Sequence, residues 1–258
     1  GIGGASCFNL TMGEGNREKA AYYIGNAVSM LFLCGLALCL ITQLFLTSLL
    51  KFFGAPQDVL PYAQEYVRIT ALGFPFLLLT TGGGHLIRAD GNPRMTMICN
   101  LTGAIINTVL DALFVMVFQM GMAGAALATV IGQVISAVIV ICYLYHFKTV
   151  PLEKKHLIVN MEYTGKIASI GAASFFNQLA MMVVQIVLNN SLKHYGALSI
   201  YGEAIPIACA GIVMKVNQVF FSIVIGIGHG SQPIESFNYG ARQYDRVHKA
   251  YWLASVAG

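Results

Sequence analysis

Residues 95–147 read MTMICNLTGAIINTVLDALFVMVFQMGMAGAALATVIGQVISAVIVICYLYHF and carry one formal charge, Asp111. A helix that crosses a bilayer needs roughly 20 apolar residues, so this stretch fits two spans joined by a tight turn. FQMGMAG (118–124) is the expected turn. Lipid offers backbone amides no partner, which restricts spans to helices or closed barrels, and runs this long exceed a barrel strand. The chain therefore reads as an all-α polytopic membrane protein.

Composition agrees. Hydrophobic residues make up 57% of the chain, charged residues 10%, and mean hydropathy is +0.69. A soluble domain carries about 25% charged residues. Further apolar runs cover 20–50, about 69–87, 167–192 and about 198–234, the last interrupted by Glu203 and Lys215. With the pair in 95–147 this gives six complete spans, and a seventh begins near Tyr251. The chain opens on GIGGASC and stops at YWLASVAG inside an apolar segment, so both ends are expected to continue. Cys7, Cys34, Cys39, Cys99, Cys142 and Cys209 lack metal-ligand spacing and read as inert thiols. No basic block interleaved with aromatics points to nucleic acid.

Basic residues set the orientation. Loops on one side hold Arg17, Lys19, Arg88, Arg94, Lys148, Lys154, Lys155, Lys166, Arg242, Arg246 and Lys249, against Lys51, Lys193 and Arg68 on the other. Positive charge accumulates on the cytoplasmic side, which places the first set inside.

The two ends also resemble each other. Gly1, Ile2, Gly3 and Ser6 match Gly226, Ile227, Gly228 and Ser231; after a two-residue slip, Gly13, Glu18 and Lys19 match Gly240, Asp245 and Arg246. A repeat of about 225 residues and six spans keeps both copies in one orientation, as in parallel-repeat transporters.

Asp111 is the costly residue. An aspartate at a helix centre costs about 2.5–3.5 kcal/mol on insertion scales, so it should face a cavity or a partner. Asn107 lies one turn earlier on the same face. Counted from a turn at Met120, Asp111 and Thr129 have equal offsets, as do Asn107 and Gln133, so two matched polar levels are expected. Such a cluster can simply glue a helix hairpin. An amide suffices for glue without a charge penalty, which shifts the balance for Asp111 towards function. Desolvation raises a carboxyl pKa and a bound cation lowers it, so a carboxyl at this depth can trade a proton or join Asn107 and Thr129 around sodium. Occupancy would then bias one conformation over another.

Other polar residues leave alternatives open. Lys215, followed by Asn217 and Gln218, reads equally as a snorkelling lysine or a functional charge. Asn177, Gln178, Gln185 and Asn189 suit a pathway lining or plain packing; Met181, Met182 and Met214 suit an adaptable binding wall or plain packing. Glu203 and Arg68 sit near external ends, and Pro75 and Pro206 suggest kinks. His85 and His229 lie in Gly-rich helix ends beside cytoplasmic loops. Neither H-E-x-x-H nor Gly-x-Ser-x-Gly occurs, so hydrolase chemistry lacks its parts and no enzyme is expected.

IRADGNPRMTMICNLTGAIINTVLDALFVMVFQMGMAGAALATVIGQ strongly resembles the fourth-to-sixth helix region of bacterial multidrug and toxic compound extrusion (MATE) transporters, and GIGHGSQPIESFNYGARQYDRV resembles the end of their eighth helix. The resemblance implies twelve helices in two six-helix lobes. Residues 1–147 would be part of the first lobe, from the end of helix 2 to helix 6. Residues 148–163 would be the cytoplasmic inter-lobe linker, and 164–258 the start of the second lobe with helices 7, 8 and the beginning of 9. It also implies export of amphipathic, often cationic, compounds across a bacterial inner membrane against a proton or sodium gradient. Asn107, Asp111 and Thr129 match the family's amino-terminal-lobe cation or proton site, and an acidic residue on the family's first helix, outside this chain, completes it. Asn177 stands where some branches place a glutamate, which argues against that second site. Gln133 and Lys215 are added from depth and burial, and with Asn177 and Gln178 they are the further cavity-lining candidates. The expected partners are the lipid bilayer and small organic cations, the expected state is a monomer, and no cofactor beyond the coupling ion is expected. A lipid-linked saccharide flippase shares the two-lobe logic and stands as the alternative; a channel lacks its continuous polar stripe.

Overall fold

Three asparagines start helices in the same way. Asn16 Oδ1 accepts the Lys19 N–H at 3.0 Å, Asn92 Oδ1 that of Met95 at 3.3 Å, and Asn160 Oδ1 that of Glu162 at 2.9 Å. Each satisfies an amide that the first helical turn leaves unpaired, a cap that contributes about 1 kcal/mol. Gly15 and Gly91, at φ +84° and +81°, end the preceding helices in the left-handed conformation that glycine adopts without steric cost.

The computed structural model describes residues 1–53, 59–198, 202 and 204–258. Its helices are α1 (Ile2–Gly13), α2 (Arg17–Leu44), α3 (Leu46–Phe52), α4 (Leu60–Thr70), α5 (Phe74–Ala89), α6 (Pro93–Asp111), α7 (Gly121–Tyr145), α8 (Met161–Ala197), α9 (Ala204–Gly240) and α10 (Tyr244–Ala257). No strand occurs among the described residues. Six candidate spans, 17–44, 60–89, 93–117, 121–145, 161–197 and 208–240, are long and apolar enough to cross a membrane. They match the six expected from the sequence. Glu203 lies outside the described residues, as does the side chain of Lys193.

Local chemistry explains the breaks. The 60–89 span is interrupted by a 3-10 turn, Ala71–Gly73, just before Pro75. A proline has no N–H to continue the α-helical ladder. Thr70 Oγ1 donates to the carbonyls of Tyr66 and Val67, and Gln43 Nε2 to that of Arg68 at 2.6 Å, so side chains occupy carbonyls at the break. Pro206 sits in the first turn of α9 instead of kinking it; Pro233 is the proline inside that helix. The turn after α6 falls where expected, with Gln119 and Gly121 at φ +54° and +57°.

The core lies among α1, α2, α5 and α7, where Phe8, Ile24, Leu86, Ile87 and Val140 are fully buried. Small residues let backbones meet. A Cβ on Gly132 would stand 2.8 Å from the Gly103 carbonyl oxygen, so α6 and α7 cross at glycine on both sides. The α1–α9 crossing is reciprocal. A Cβ on Gly13 would overlap the Phe237 carbonyl oxygen, and one on Gly240 would overlap that of Leu10. The register that pairs Gly13 with Gly240 also pairs Leu10 with Phe237, as the sequence repeat requires. The repeated stretches are helix–turn–helix units and not loops, since Ile2–Gly13 is helical. On α8 and α9 large apolar side chains such as Phe175, Phe176, Phe220 and Phe221 are exposed, a surface suited to lipid.

Between α7 and α8 the connection is strapped to the first bundle. Asp90, 7% exposed, accepts hydrogen bonds from Tyr143 Oη (2.7 Å), Lys148 N (3.0 Å), Thr149 N (3.1 Å) and Thr149 Oγ1. Fully buried Asn26 donates to the His156 carbonyl at 3.3 Å and accepts from Asn160 N at 2.7 Å. Ser29 Oγ donates to the Leu157 carbonyl at 2.6 Å, and a Cβ on Gly25 would overlap His156 O. Along the strap, the Glu153 carboxylate at 3.0 Å holds exposed Lys155 above its ordinary pKa through a hydrogen bond and opposite charge.

Candidate functional site

Asn107 and Asp111 occupy one face of the last turns of α6, and Thr129 and Gln133 one face of α7. The structure brings the two faces together. Asn107 Nδ2 donates to Thr129 Oγ1 at 3.3 Å, and that hydroxyl donates to the Ala125 carbonyl at 2.9 Å. Asp111 Oδ1 and Gln133 Oε1 are closed to water and accept no hydrogen bond. A buried acceptor without a donor costs about 1–3 kcal/mol, more when charged. Each of the two oxygens is an acceptor left without a donor inside the helix packing.

The pairing differs from the expected levels, since Asn107 meets Thr129 where Asp111 was expected. The cause lies just beyond Asp111. Residues Ala112–Val117 form a π-helix, with Phe118 N bonded to Leu113 O at 3.0 Å. A π turn takes more residues per turn than an α turn, so these residues climb less and Asn107 stands nearer the connecting turn than an unbroken α-helix would place it. No sequence signal marks that segment, although π turns recur at functional sites.

The remaining candidates do not join this cluster. Asn177 and Gln178 are exposed on α8; Gln178 lines a cleft of about 680 Å³ among α1, α2, α5 and α8. Lys215 is exposed on α9. Gln185 Nε2 donates to Asn189 Oδ1 at 3.2 Å along one helix face. His85 and His229, far apart in sequence, meet edge-to-face with ring centroids 5.0 Å apart, and Arg88 Nη2 lies 3.0 Å from His85 Nδ1. Among the described residues no three His, Cys, Asp or Glu side chains converge as a metal site.

Sequence reasoning passed over Asp90, Asn26 and His156. His156 is 3% exposed, and its Nε2 lacks a partner.

Six apolar spans, exposed lipid-type faces and a half-buried polar cluster inside a helix hairpin define a helical multi-pass membrane protein. The MatE family model matches residues 2–113 and 173–257, and the chain belongs to that family. It is similar to the multidrug export protein MepA of Staphylococcus aureus (strain NCTC 8325 / PS 47), 27% identical over 244 residues, covering 94% of this chain and 52% of that protein. MepA of Staphylococcus haemolyticus (strain JCSC1435) is 27% identical over 240 residues, covering 93% and 52%. The chain thus spans about half the length of the curated relatives it matches. Among solved structures, MATE in the straight conformation superposes with a TM-score of 0.87 at 21% identity, covering 99% of this chain and 56% of that one. An inward-facing multidrug resistance MATE family transporter gives 0.74 at 21%, covering 98% and 57%. These relatives do not favour the saccharide-flippase alternative.

Proposed function

We propose that the full-length protein exports amphipathic, often cationic, compounds by alternating access, as an antiporter driven by protons or sodium. The observation that carries this reading is Asp111 Oδ1, buried in an apolar hairpin with no hydrogen-bond partner. Asn107 and Thr129 supply the neighbouring amide and hydroxyl. An ion that binds here neutralises or ligates the carboxylate, and the conformation that keeps the site closed gains that interaction energy. Release to the other side then requires the cavity to open, which exchanges ion for substrate. In this reading residues 1–147 belong to the first lobe, 148–163 link the lobes and 164–258 begin the second, and the transporter works as a monomer. The relatives' printed role in multidrug export supports the substrate class.

Dye efflux from cells expressing the full-length protein, with and without Asp111→Asn, tests the coupling. The amide keeps the shape and loses the charge. Efflux driven by both proton and sodium gradients should fall at least tenfold, the loss that a positioned charge contact of about 1.4 kcal/mol or more entails. Unchanged efflux under both gradients would overturn the proposal.

A further inference from the structure

We infer that a cavity at the end of the bundle that carries the basic loops binds a phosphate-bearing anion, either a lipid headgroup or a soluble phosphate. The cavity has a volume of about 310 Å³ and is walled by α1, α2, α8, α9 and the turn that leads to α10. It shares no residue with the α6–α7 hairpin, so its test is independent of the Asp111 reading. Lys166 of α8 and Arg242 of the turn line it, and neither side chain has a hydrogen bond or an ion pair among the described residues. Glu14 is the one acid on the wall. Two cations therefore face one carboxylate, and the cavity keeps a positive excess.

The backbone at Arg242 points to a purpose for its charge. The residue stands at φ +58°, and its turn carries the same hydrogen bonds as the turns where Gly15 and Gly91 stand at +84° and +81°. Glycine takes this left-handed conformation without steric cost, and arginine does not. Strain of this kind gathers at ligand sites, where the placement of the side chain offsets it. The placement here puts a guanidinium, which has five N–H donors and no acceptor, on the cavity wall.

Tyr23 of α2 adds a buried donor. It is 2% exposed, lines the same cavity, and its hydroxyl has no hydrogen-bond partner among the described residues. A phosphate presents its oxygens around a tetrahedral centre and so can reach a guanidinium fork, an ammonium and a phenol at once. Tyr239 and Tyr244, both exposed, also line the cavity, with ring centroids 5.5 Å apart. Tyrosine favours the headgroup level of a bilayer, and basic pockets between membrane helices take lipid phosphates. Tyr23 belongs to the first half of the chain, Lys166 and Arg242 to the second. A bound phosphate thus ties the halves together beside the crossing of Gly13 and Gly240.

Thermal unfolding of the purified full-length protein, in a neutral detergent at constant ionic strength, tests this. The probes are dioctanoyl phosphatidylglycerol, inorganic phosphate, and dioctanoyl phosphatidylcholine, whose choline cancels the phosphate charge. A saturable rise in the unfolding midpoint is expected with phosphatidylglycerol, with inorganic phosphate or with both, and not with phosphatidylcholine. A response to the lipid alone assigns a headgroup; a response to inorganic phosphate assigns a soluble anion. Arg242→Gly removes the charge and the strain together. Its ligand-free midpoint should not fall, while its half-saturating concentration should rise about tenfold, a split that a merely structural role would not produce. Lys166→Gln should also weaken the response about tenfold. Lys154→Gln, off the cavity wall, should leave half-saturation within about twofold. The inference is overturned if no probe raises the midpoint or if phosphatidylcholine acts as strongly as the anions. It is equally overturned if Arg242→Gly and Lys166→Gln leave half-saturation unmoved, or if Lys154→Gln weakens it as much as they do.

Discussion

Replacing Asp90 by alanine should release the connection between α7 and α8 from the first bundle. The carboxylate caps four donors: Tyr143 Oη and Lys148 N on Oδ2, Thr149 N and Thr149 Oγ1 on Oδ1. Hydrogen bonds to a charged group contribute about 1.5–3 kcal/mol each, but Lys148 and Thr149 are exposed and water replaces much of what they lose. Counting the phenol and the two backbone amides at about 1 kcal/mol each gives a loss of about 3 kcal/mol. That is about two decades in the constant for local opening.

Trypsin reads that opening directly. Lys148, Lys154 and Lys155 lie in the connection, and cleavage needs the backbone to leave its hydrogen bonds and extend into the protease. Under conditions where reclosing outpaces cutting, the rate tracks the open population. Asp90→Ala should therefore be cut about a hundredfold faster there. Asp90→Asn keeps Oδ1 for Thr149 and loses the acceptor for Tyr143 and Lys148, so about 2 kcal/mol and a roughly thirtyfold effect are expected. A rate within threefold of the parent for Asp90→Ala would refute the idea that this carboxylate holds the strap.

Gly103→Ala places a methyl against Ser136 Oγ and 3.0 Å from the Gly132 carbonyl, at a crossing where Ser136 also donates to Cys99 O at 2.9 Å. Overpacking of this kind costs about 1–3 kcal/mol, so the unfolding temperature of the purified protein should fall, and an unchanged value would contradict the close α6–α7 approach. Orientation is open to cysteine labelling in intact cells. A membrane-impermeant maleimide should modify Lys51→Cys and spare Lys154→Cys until the membrane is broken, and the reverse order would invert the assigned topology.

The span count and the turn at Met120 were legible because bilayer thickness is a length that a sequence must match. Pro75 announced its break for a similarly local reason, the missing N–H. What could not be read depends on tertiary approach. Asp90 looked like an ordinary loop charge because solvation at a span end is cheap, and only the fold shows that the connection returns to it. Asn26 and His156 meet across 130 positions of sequence, with no periodicity to link them. Lys215, which hydropathy placed deep, has an exposed side chain on α9. The π segment after Asp111 changed which polar side chains meet, bringing Asn107 to Thr129, and no composition rule marks such a segment.

The repeat carries the argument one step further, because it survives in geometry better than in residues. The turn after α1 bonds Gly15 N to Met12 O and Asn16 N to Thr11 O; the turn after α9 bonds Arg242 N to Tyr239 O and Gln243 N to Asn238 O. A third copy follows α5, with Gly91 N on Arg88 O and Asn92 N on Ile87 O. The turns after α1 and α5 use glycine at the left-handed position, and the turn after α9 holds Arg242 there at φ +58°. A side chain in that conformation costs roughly 1 kcal/mol relative to glycine, so the hydrogen-bonded turn is what has been kept, at the expense of a strained residue. Residue identity at the turn is therefore a weak guide to the repeat. The reciprocal contact of Gly13 and Gly240 with each other's helix is a strong one, because any larger side chain at either position meets backbone and not a side chain that can turn away.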